Sequence, residues 1–389
     1  MDRETAVAII HNTISPYRND LFERISEHVD LMVYFCFEEE SDRLWDTSLE
    51  GYTFDRHLLR SANVGPFVLN YLLPIRILLS DRDAYVAVDT FSTIVTTFLT
   101  LLVSKIRHKP FVLWSGAMKT PTSYERLPEL IHNASTSPVL KRIGIECLKR
   151  FETAYRKILY RHADAFVAYS NKAREYLIAR GADPDDIFVG GQVMPDSQLP
   201  TPPDSEKVLA NNGKITILSL GYLRDVKGID FLIEAFSEIE HEDVRLVVAG
   251  DGNKREELER QAERDDRISF VGYVEGDTKA AYYSEADIFV LPTLHDPWGL
   301  VLNESMHYGL PVITTNAAAG AEHLVRGNGI VVPPKDPHAL RNALSVLIHN
   351  KDLRDQMSER SKEIIAEENT MSQGIKPFLE ALDHASDES

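Results

Sequence analysis

Cysteine and long hydrophobic runs are scarce in this chain of 389 residues. Its two cysteines, Cys36 and Cys147, are too few for a disulfide framework, so we expect a reducing compartment, the cytoplasm. No group of histidine and cysteine residues has the spacing of a zinc site. The most apolar stretch, 91–103, covers about 13 residues, whereas a membrane-spanning helix needs about 20. These absences argue against a disulfide-stapled domain, a zinc module and an integral membrane protein.

Three further sequence signals are missing or weak. No Gly-x-Gly-x-x-Gly segment follows a predicted strand, which argues against a dinucleotide oxidoreductase. Residues 1–4 lead directly into an apolar strand, so we expect no signal peptide. The triplet Asp81-Arg82-Asp83 has the form of a metal-binding acidic motif, but it lies between two apolar runs. We interpret it as a polar turn.

Negative charge is in excess, and it is concentrated in the second half. The net charge is −18; residues 1–195 hold 23 basic and 25 acidic residues, and residues 196–389 hold 19 and 35. An acidic C-terminal half argues against a general nucleic-acid-binding protein. The basic residues of the first half are dense in one predicted helix, at Lys141, Arg142, Lys149, Arg150, Arg156, Lys157 and Arg161. Such a helix is either an ordinary solvated face or a peripheral contact, through 141–161, with the inner face of an anionic membrane.

Apolar runs alternate with helix-length segments, which is typical of βα units and parallel sheets. In the first half this pattern predicts strands at 5–11, 31–37, 84–88, 111–114, 165–168 and 187–189, and helices at 18–27, 91–106 and 171–180. Four prolines among polar residues then predict a linker at 195–206.

The alternation restarts after the linker. It predicts strands at 215–220, 245–249, 268–271, 288–291 and 312–314, and a helix at 230–239. We therefore predict an α/β fold of two Rossmann-like, doubly wound parallel-sheet domains, 1–194 and 207–371, that face each other across a cleft. Ligands of such sheets bind at the carboxyl ends of the strands.

The segment 296–304 follows one of these strands and holds two carboxylates, Asp296 and Glu304, on either side of a glycine. Unpaired N–H groups at a helix N-terminus favour an anion, usually phosphate. A fully helical segment would separate the carboxylates by about 12 Å, which is about the length of a sugar–diphosphate–ribose unit. We expect one acid to meet the sugar and the other the ribose. An alternative is that Asp296 caps the helix, with Pro297 at its first position.

Several short segments of the second half occur in the same order as in a known family. They are 221–223 with Lys227-Gly228, 248–252, 270–274, 286–292, 296–304, 309–313 and 329–332. Through them the second half resembles the donor domain of a GT-B glycosyltransferase, above all of the retaining family 4 (glycosyl transferases group 1). The first half resembles the acceptor domain more loosely, through 15–18 and 114–116.

The resemblance implies a hexosyl- or other glycosyltransferase that retains anomeric configuration. It implies transfer from a nucleotide diphosphate sugar with neither metal nor cofactor, and a C-terminal helix, 372–389, that completes the first domain. The basic helix and the apolar first half favour a glycan or glycolipid acceptor, in cell-surface polysaccharide or glycoconjugate synthesis, and no nucleic acid is expected as a partner. GT-B-fold epimerases and phosphorylases, and a non-catalytic sugar-nucleotide-binding partner subunit, remain alternatives.

The resemblance also implies roles for individual residues. Lys227 is expected to neutralise the diphosphate, Glu304 to bind the ribose hydroxyls, and Asp296, where the family usually has Glu, to touch the transferred sugar. The implied donor contacts are Gly221, Tyr222, Arg224, Tyr273, Val274, Trp298, Gly299, Leu300 and Val301. The family usually has Arg where Tyr222 stands, and Arg224 is the nearby substitute. The acceptor-side candidates are His11, Asn12, Arg18, Trp114 and Ser115.

Overall fold

The computed structural model describes residues 5–38, 49–64, 67–118, 138–195, 199–200, 208–209 and 213–387. The chain divides into two compact units: unit 1 comprises Met1–Gly190 with Met371–Ser389, and unit 2 comprises Gly191–Thr370. The division therefore precedes the predicted linker, and two prolines of that linker, Pro202 and Pro203, lie outside the described residues.

The described residues of unit 1 form a seven-stranded parallel sheet and a short antiparallel hairpin. The strands are β1 (Ala6–Thr13), β2 (Asp30–Phe37), β3 (Asp55–Leu58), β4 (Ala62–Val64), β5 (Phe67–Leu69), β6 (Ala84–Val88), β7 (Phe111–Ser115), β8 (Ala165–Ala168) and β9 (Ile187–Val189). The sheet order is β3-β2-β1-β6-β7-β8-β9, and β4 pairs with β5.

Helices cover both faces of the unit 1 sheet. They are α1 (Pro16–Ser26), α2 (Leu73–Leu79), α3 (Ile94–Ile106), α4 (Pro138–His162), α5 (Asn171–Ile178) and the C-terminal helix (Met371–Asp387). The side chains of α1 and the C-terminal helix share one core with Val7 and Ile9, whereas α2 to α5 share the other core with Ala8 and Ile10. Because successive side chains of a strand point to opposite faces, a sheet covered on both faces needs the continuous apolar runs seen in the sequence.

The described residues of unit 2 form a six-stranded parallel sheet. Its strands are β10 (Ile215–Leu220), β11 (Val244–Ala249), β12 (Ile268–Gly272), β13 (Ile288–Leu291), β14 (Val312–Thr315) and β15 (Gly329–Val332). Its helices are α6 (Ile229–Ser237), α7 (Arg255–Ala262), α8 (Gly276–Glu285), α9 (Leu300–His307), α10 (Ala321–Leu324), α11 (Pro337–His349) and α12 (Lys351–Glu368).

The strand order of unit 2 is β12-β11-β10-β13-β14-β15. The chain adds strands on one side of β10 up to β12 and then continues on its other side with β13, so the topological switch point lies between β10 and β13. In an open α/β sheet the crevice at such a topological switch point, beside the carboxyl ends of the strands, is the usual place for a ligand. The loops that follow these two strands carry the side chains to which the sequence assigns chemistry.

Candidate functional site

The loop after β10 is held against the loop after β13. It reaches Lys227 through a 3₁₀ turn that ends at Gly228, whose φ of 65° is left-handed. A Cβ atom at Gly228 would lie 2.3 Å from the carbonyl oxygen of Pro292, so only glycine allows this approach. The backbone N–H of Leu294 also donates to the carbonyl of Val226 at 2.8 Å. These contacts fix the position of Lys227 beside the second loop.

Lys227 forms an ion pair with Asp296. Its Nζ lies 2.7 Å from Asp296 Oδ2, and the two side chains are 22% and 14% exposed. The other oxygen, Oδ1, accepts the backbone N–H of Trp298 at 3.1 Å. Burial acts to raise the pKa of Asp296, but attraction and hydrogen bonding by Lys227 outweigh it, so this pKa lies below its ordinary value. Asp296 therefore orients the ammonium group of Lys227.

The helix after β13 begins later than a fully helical 296–304 segment would require. It begins at Leu300, and its N-cap is Gly299, with a left-handed φ of 90°. Asp296 is not the N-cap and Pro297 is not the first helical residue, so that alternative is wrong. The physical reason is the bond from the N–H of Trp298, which folds residues 296–298 into a turn instead. The estimate of about 12 Å between the two carboxylates assumed a continuous helix, and it does not apply.

The N-terminus of α9 lies close to the Lys227 ion pair. A Cβ atom at Gly299 would be 3.8 Å from Asp296 Cγ, and the first turn of α9 contains no acidic residue. The first N–H groups of an α-helix have no intrahelical acceptor, so those of Leu300 and Val301 are suited to an anion. An ammonium group and an open helix end thus stand side by side, which is an arrangement that binds phosphate.

Glu304 is buried one turn into α9, and both of its carboxylate oxygens have a partner. Oε1 lies 3.2 Å from Lys279 Nζ, and Oε2 accepts the hydroxyl of Tyr283 at 2.7 Å. Burial and the Glu304 charge raise the pKa of Tyr283, so this hydroxyl stays a donor. Each oxygen has a second lone pair, which leaves room for two ribose hydroxyls. Sequence reasoning missed Lys279 and Tyr283, although their i, i+4 spacing places them on one face of a helix.

The other predicted donor contacts line the neighbouring loops. Tyr273 is exposed, and its hydroxyl donates to Glu275 Oε2 at 3.1 Å. The guanidinium of Arg224 stacks on the ring of Tyr222 at 5.1 Å, so these two residues lie together. Gly221 lies against the loop after β11: its N–H donates to the carbonyl of Ala249 at 3.0 Å, and a Cβ atom at Gly250 would lie 1.9 Å from its carbonyl oxygen. Val274 is half-buried.

Trp298 is packed inside unit 2. Its indole N–H donates to Asn303 Oδ1 at 2.8 Å, and the ring is 3% exposed. A Cβ atom at Gly191 or at Gly320 would lie 2.7 or 3.0 Å from the ring. This packing favours a supporting role for Trp298 over a contact with the sugar.

The acceptor-side candidates separate into two groups at the carboxyl edge of the unit 1 sheet. Arg18 stacks on the ring of Trp114 at 4.2 Å, and the ring of His11 lies 5.5 Å from that of Trp114. Ser115 instead donates to Asp89. The remaining candidate, Asn12, is half-buried at the end of β1.

A buried polar network surrounds Asp89, which sequence reasoning missed. Asp89 Oδ2 accepts the hydroxyls of Ser115 at 2.9 Å and of Tyr160 at 2.5 Å. Arg156 lies 3.6 Å from Asp89 and 3.2 Å from Glu152. The sequence does contain a signal for Asp89: it is a polar residue directly after β6, at the carboxyl end of a strand, where ligands of such sheets bind.

This network shows that Arg156 is not part of the basic surface predicted for 141–161. Arg156 is buried with two carboxylates, so it does not belong to a solvated or membrane-facing basic surface. The side chains of Lys141 and Arg142 lie outside the described residues. The basic surface that the structure describes on α4 consists of Lys149, Arg150, Lys157 and Arg161.

The acidic triplet at 81–83 has a structural role at the opposite edge of the unit 1 sheet. Asp83 Oδ2 accepts the N–H of Ala6 at 3.1 Å, and Oδ1 lies 3.0 Å from Lys109 Nζ. Among the residues that the structure describes, no cluster of three or more His, Cys, Asp or Glu residues is arranged to hold a metal ion.

Relatives of known classification match the second half of the chain. Residues 201–364 match the family model of glycosyl transferases group 1. An uncharacterized glycosyltransferase of Methanocaldococcus jannaschii is 33% identical over 156 residues, which are 39% of this chain and 40% of that protein. Phosphatidyl-myo-inositol mannosyltransferase of Mycobacterium leprae is 31% identical over 196 residues, 49% of this chain and 51% of that protein. The matches thus span only two fifths to one half of these relatives' length.

Solved structures resemble the whole chain. HepE of Anabaena, in complex with UDP and glucose, has a TM-score of 0.71 at 16% identity, covering 98% of this chain and all of that one. Sucrose-phosphate synthase of Thermosynechococcus elongatus has a TM-score of 0.73 at 16% identity, with 99% and 100% coverage. At such low identity the similarity shows the fold. The chain therefore has the GT-B fold, and its residues 201–364 match the family model of glycosyl transferases group 1.

Proposed function

We propose that this chain is a retaining glycosyltransferase that moves a sugar from a nucleotide diphosphate sugar to a glycan or glycolipid acceptor. The observation that carries the proposal is the position of Lys227 beside the open end of α9, with Glu304 one turn further along. The family match of unit 2 supports it, as do the names of the curated relatives and the UDP and glucose bound by HepE.

The proposed reaction breaks the bond between the anomeric carbon and the diphosphate oxygen. An acceptor hydroxyl forms the new bond to that carbon and gives its proton to the departing diphosphate. Negative charge accumulates on the diphosphate as the bond breaks, where Lys227 and the amides of Leu300 and Val301 stabilise it. This arrangement of a cation and a helix end supports transfer without a divalent metal.

Retention by attack on the same face of the sugar fits the bonding of Asp296. A double displacement needs a carboxylate that attacks the anomeric carbon. The ammonium of Lys227 neutralises the charge of Asp296, and the second oxygen accepts the N–H of Trp298, so this carboxylate is a weakened nucleophile. Asp296 is therefore poorly placed to act as a nucleophile, and its contact with the transferred sugar remains a prediction.

Incubation with UDP-, GDP- and ADP-sugars and a glycolipid extract tests the proposed activity. We expect one donor to release its nucleotide diphosphate only when acceptor is present, and NMR of the product to show the donor's anomeric configuration. Inversion would contradict retention. Donor isomerisation or phosphorolysis without transfer would favour an epimerase or a phosphorylase, and binding without turnover of any donor would favour a non-catalytic partner subunit.

A glycolipid acceptor lies in a membrane. The second part of the proposal is therefore that unit 1 makes a peripheral contact with an anionic membrane. Helices α2, α3 and α4 pack on the same face of the sheet, so their outer sides form one surface. That surface exposes large apolar side chains, and Leu79 and Ile106 are 77% and 61% exposed. The basic side chains of Lys157 and Arg161 on α4 are also exposed. No helix among the described residues has the length and apolarity needed to cross a bilayer.

Vesicle flotation tests this contact. The full chain is expected to float with phosphatidylglycerol vesicles at low salt, and to float less with phosphatidylcholine vesicles, because basic side chains are attracted to anionic lipid. Leu79→Ser combined with Ile106→Ser is expected to abolish flotation. The control is Val346→Ser, at an exposed apolar residue of unit 2. Absence of flotation with anionic vesicles, or equal loss in the control, would rule the contact out.

A further inference from the structure

Arg18 is a buried arginine that has no acidic partner among the described residues. The residue is 6% exposed, and no carboxylate of a described residue lies within ion-pair distance of its guanidinium. Its guanidinium donates a hydrogen bond to the hydroxyl of Tyr169 at 3.1 Å. Buried charges in proteins are normally paired, because removing an unpaired charge from water is costly. Arg156, a second buried arginine of unit 1, follows that rule with Asp89 and Glu152.

Aromatic rings hold the guanidinium in place. Its carbon lies 4.2 Å from the ring centroid of Trp114, 4.9 Å from that of Tyr17 and 5.3 Å from that of Tyr169. Stacking on rings orients the planar guanidinium but leaves its in-plane N–H groups for an acceptor. Arginine has five such donors, and within the described residues Nη2 alone has a hydrogen-bond acceptor, the Tyr169 hydroxyl. The other donors are available to a ligand.

Further unpartnered polar groups surround the first turn of α1. Ser15 Oγ and both side-chain polar atoms of Asn19 are buried without a hydrogen-bond partner. Ser15 is the N-cap residue of α1, yet its side chain makes no capping bond. The indole N–H of Trp114, the ring beneath Arg18, is also buried and unpartnered. Such groups each cost about 1–3 kcal/mol, and their grouping around an unpaired cation points to a binding function.

We propose that Arg18 and the first turn of α1 bind an oxyanion, a phosphate or a carboxylate, carried by a hydroxyl-bearing molecule. An oxyanion complements the fork of the guanidinium. The Ser15 hydroxyl and the Asn19 amide suit the hydroxyls of a sugar ring. This inference rests on the proposed function in one respect: it identifies the acceptor as an acidic sugar or a sugar phosphate.

Calorimetric titration of the full chain with glucose 6-phosphate, glucuronate and glucose tests the site. We expect at least one acidic sugar to bind and neutral glucose to bind at least about tenfold more weakly, since hydrogen bonds to charged groups contribute about 1.5–3 kcal/mol. Binding of glucose 6-phosphate alone assigns a phosphate, and binding of glucuronate alone assigns a carboxylate. Binding of neither, or equal binding of glucose, would overturn the inference.

Substitutions separate a binding role from a structural one. Arg18→Gln is expected to weaken binding of the acidic sugar by about 10- to 100-fold, and Arg18→Lys by less, because lysine keeps the charge but loses the fork. The matched control is Arg24→Gln on the same helix, whose arginine is exposed and paired with Glu27. Equal losses in Arg24→Gln, or no loss in Arg18→Gln, would contradict the proposal.

Stability provides a readout that does not depend on a ligand. If Arg18 serves a ligand, Arg18→Met is expected to leave the ligand-free melting temperature unchanged or higher, because it removes an unpaired buried charge. A melting temperature several degrees lower would show that Arg18 stabilises the fold through its rings, and the inference would fail. The nucleotide-sugar affinity of the same samples is expected to be unchanged, so failure here is distinguishable from failure of the proposed activity.

Discussion

Lys227→Ala is expected to destabilise unit 2 by about 3 kcal/mol, because it leaves the Asp296 carboxylate buried without a charged partner. Breaking a buried ion pair typically costs about 3–5 kcal/mol. We take the lower end, since Lys227 is 22% exposed. The control is Lys254→Ala. Its partner Asp225 is 70% exposed, so this variant leaves no buried carboxylate, and ion pairs with an exposed partner contribute at most about 1 kcal/mol.

The pH dependence of the stability lost in Lys227→Ala tests whether the unpaired Asp296 carboxylate is its cause. In the native chain the pKa of Asp296 is lowered, so its stabilising contribution is present above the ordinary value of 3.8 and is lost as pH falls through the folded pKa. Without Lys227 burial dominates and raises that pKa. The variant therefore regains stability as pH falls from neutral towards the ordinary value. Urea unfolding at about pH 7 and about pH 5 is expected to show a smaller difference at the lower pH. A difference that does not change with pH would contradict a buried, unpaired Asp296.

The double variant separates the structural role of Lys227 from its proposed role at the donor. Adding Asp296→Ala removes the orphaned carboxylate, so part of the lost stability is expected to return. Transfer activity is expected to stay at least about 100-fold below that of the native chain, because the diphosphate still lacks its cation. Full recovery of activity together with stability would show that Lys227 only supports the fold.

Glu304→Ala is the second large expected effect, a loss of at least about 100-fold in affinity for the nucleotide diphosphate sugar. Two hydrogen bonds from ribose hydroxyls to a carboxylate, at about 1.5–3 kcal/mol each, account for that magnitude. Calorimetric titration measures it.

Two variants test whether the loss comes from the carboxylate itself. Tyr283→Phe keeps the carboxylate and removes only the hydroxyl that donates to it, so we expect a much smaller change in affinity. Glu242→Ala, at an exposed acid just before the amino end of β11, is expected to leave affinity nearly unchanged. Unchanged affinity in Glu304→Ala would refute its assignment to the ribose.

The parallel strands could be predicted from the sequence because both faces of each sheet are covered. Strands β8 and β13 have the predicted bounds, 165–168 and 288–291. Burial on both faces requires unbroken apolar runs, and such runs are visible in a single sequence. Strand β3 was missed, because Asp55-Arg56-His57-Leu58 is largely polar and lies at the sheet edge. Helix α7 was missed too, because it is mostly polar and exposed.

The sequence predicts which loops form the site, but it does not predict the side-chain contacts between them. Because both segments follow strands of one predicted parallel sheet, the sequence places the Lys227 loop and the 296–304 segment at the carboxyl ends of its strands. The ion pair between Lys227 and Asp296 joins residues 69 positions apart and depends on how two loops pack, which no local pattern reports. The same holds for Asp89 with Tyr160, which are 71 positions apart. The aromatic rings around Arg18 likewise become visible only once the packing of α1 on the sheet is known.

A crystal structure of the full chain with a bound nucleotide diphosphate sugar tests the central claim most directly. We expect the diphosphate oxygens within hydrogen-bonding distance of Lys227 Nζ and of the amides of Leu300 and Val301, with the ribose hydroxyls on Glu304. A nucleotide bound elsewhere, or a diphosphate that contacts neither Lys227 nor the first turn of α9, would contradict the account.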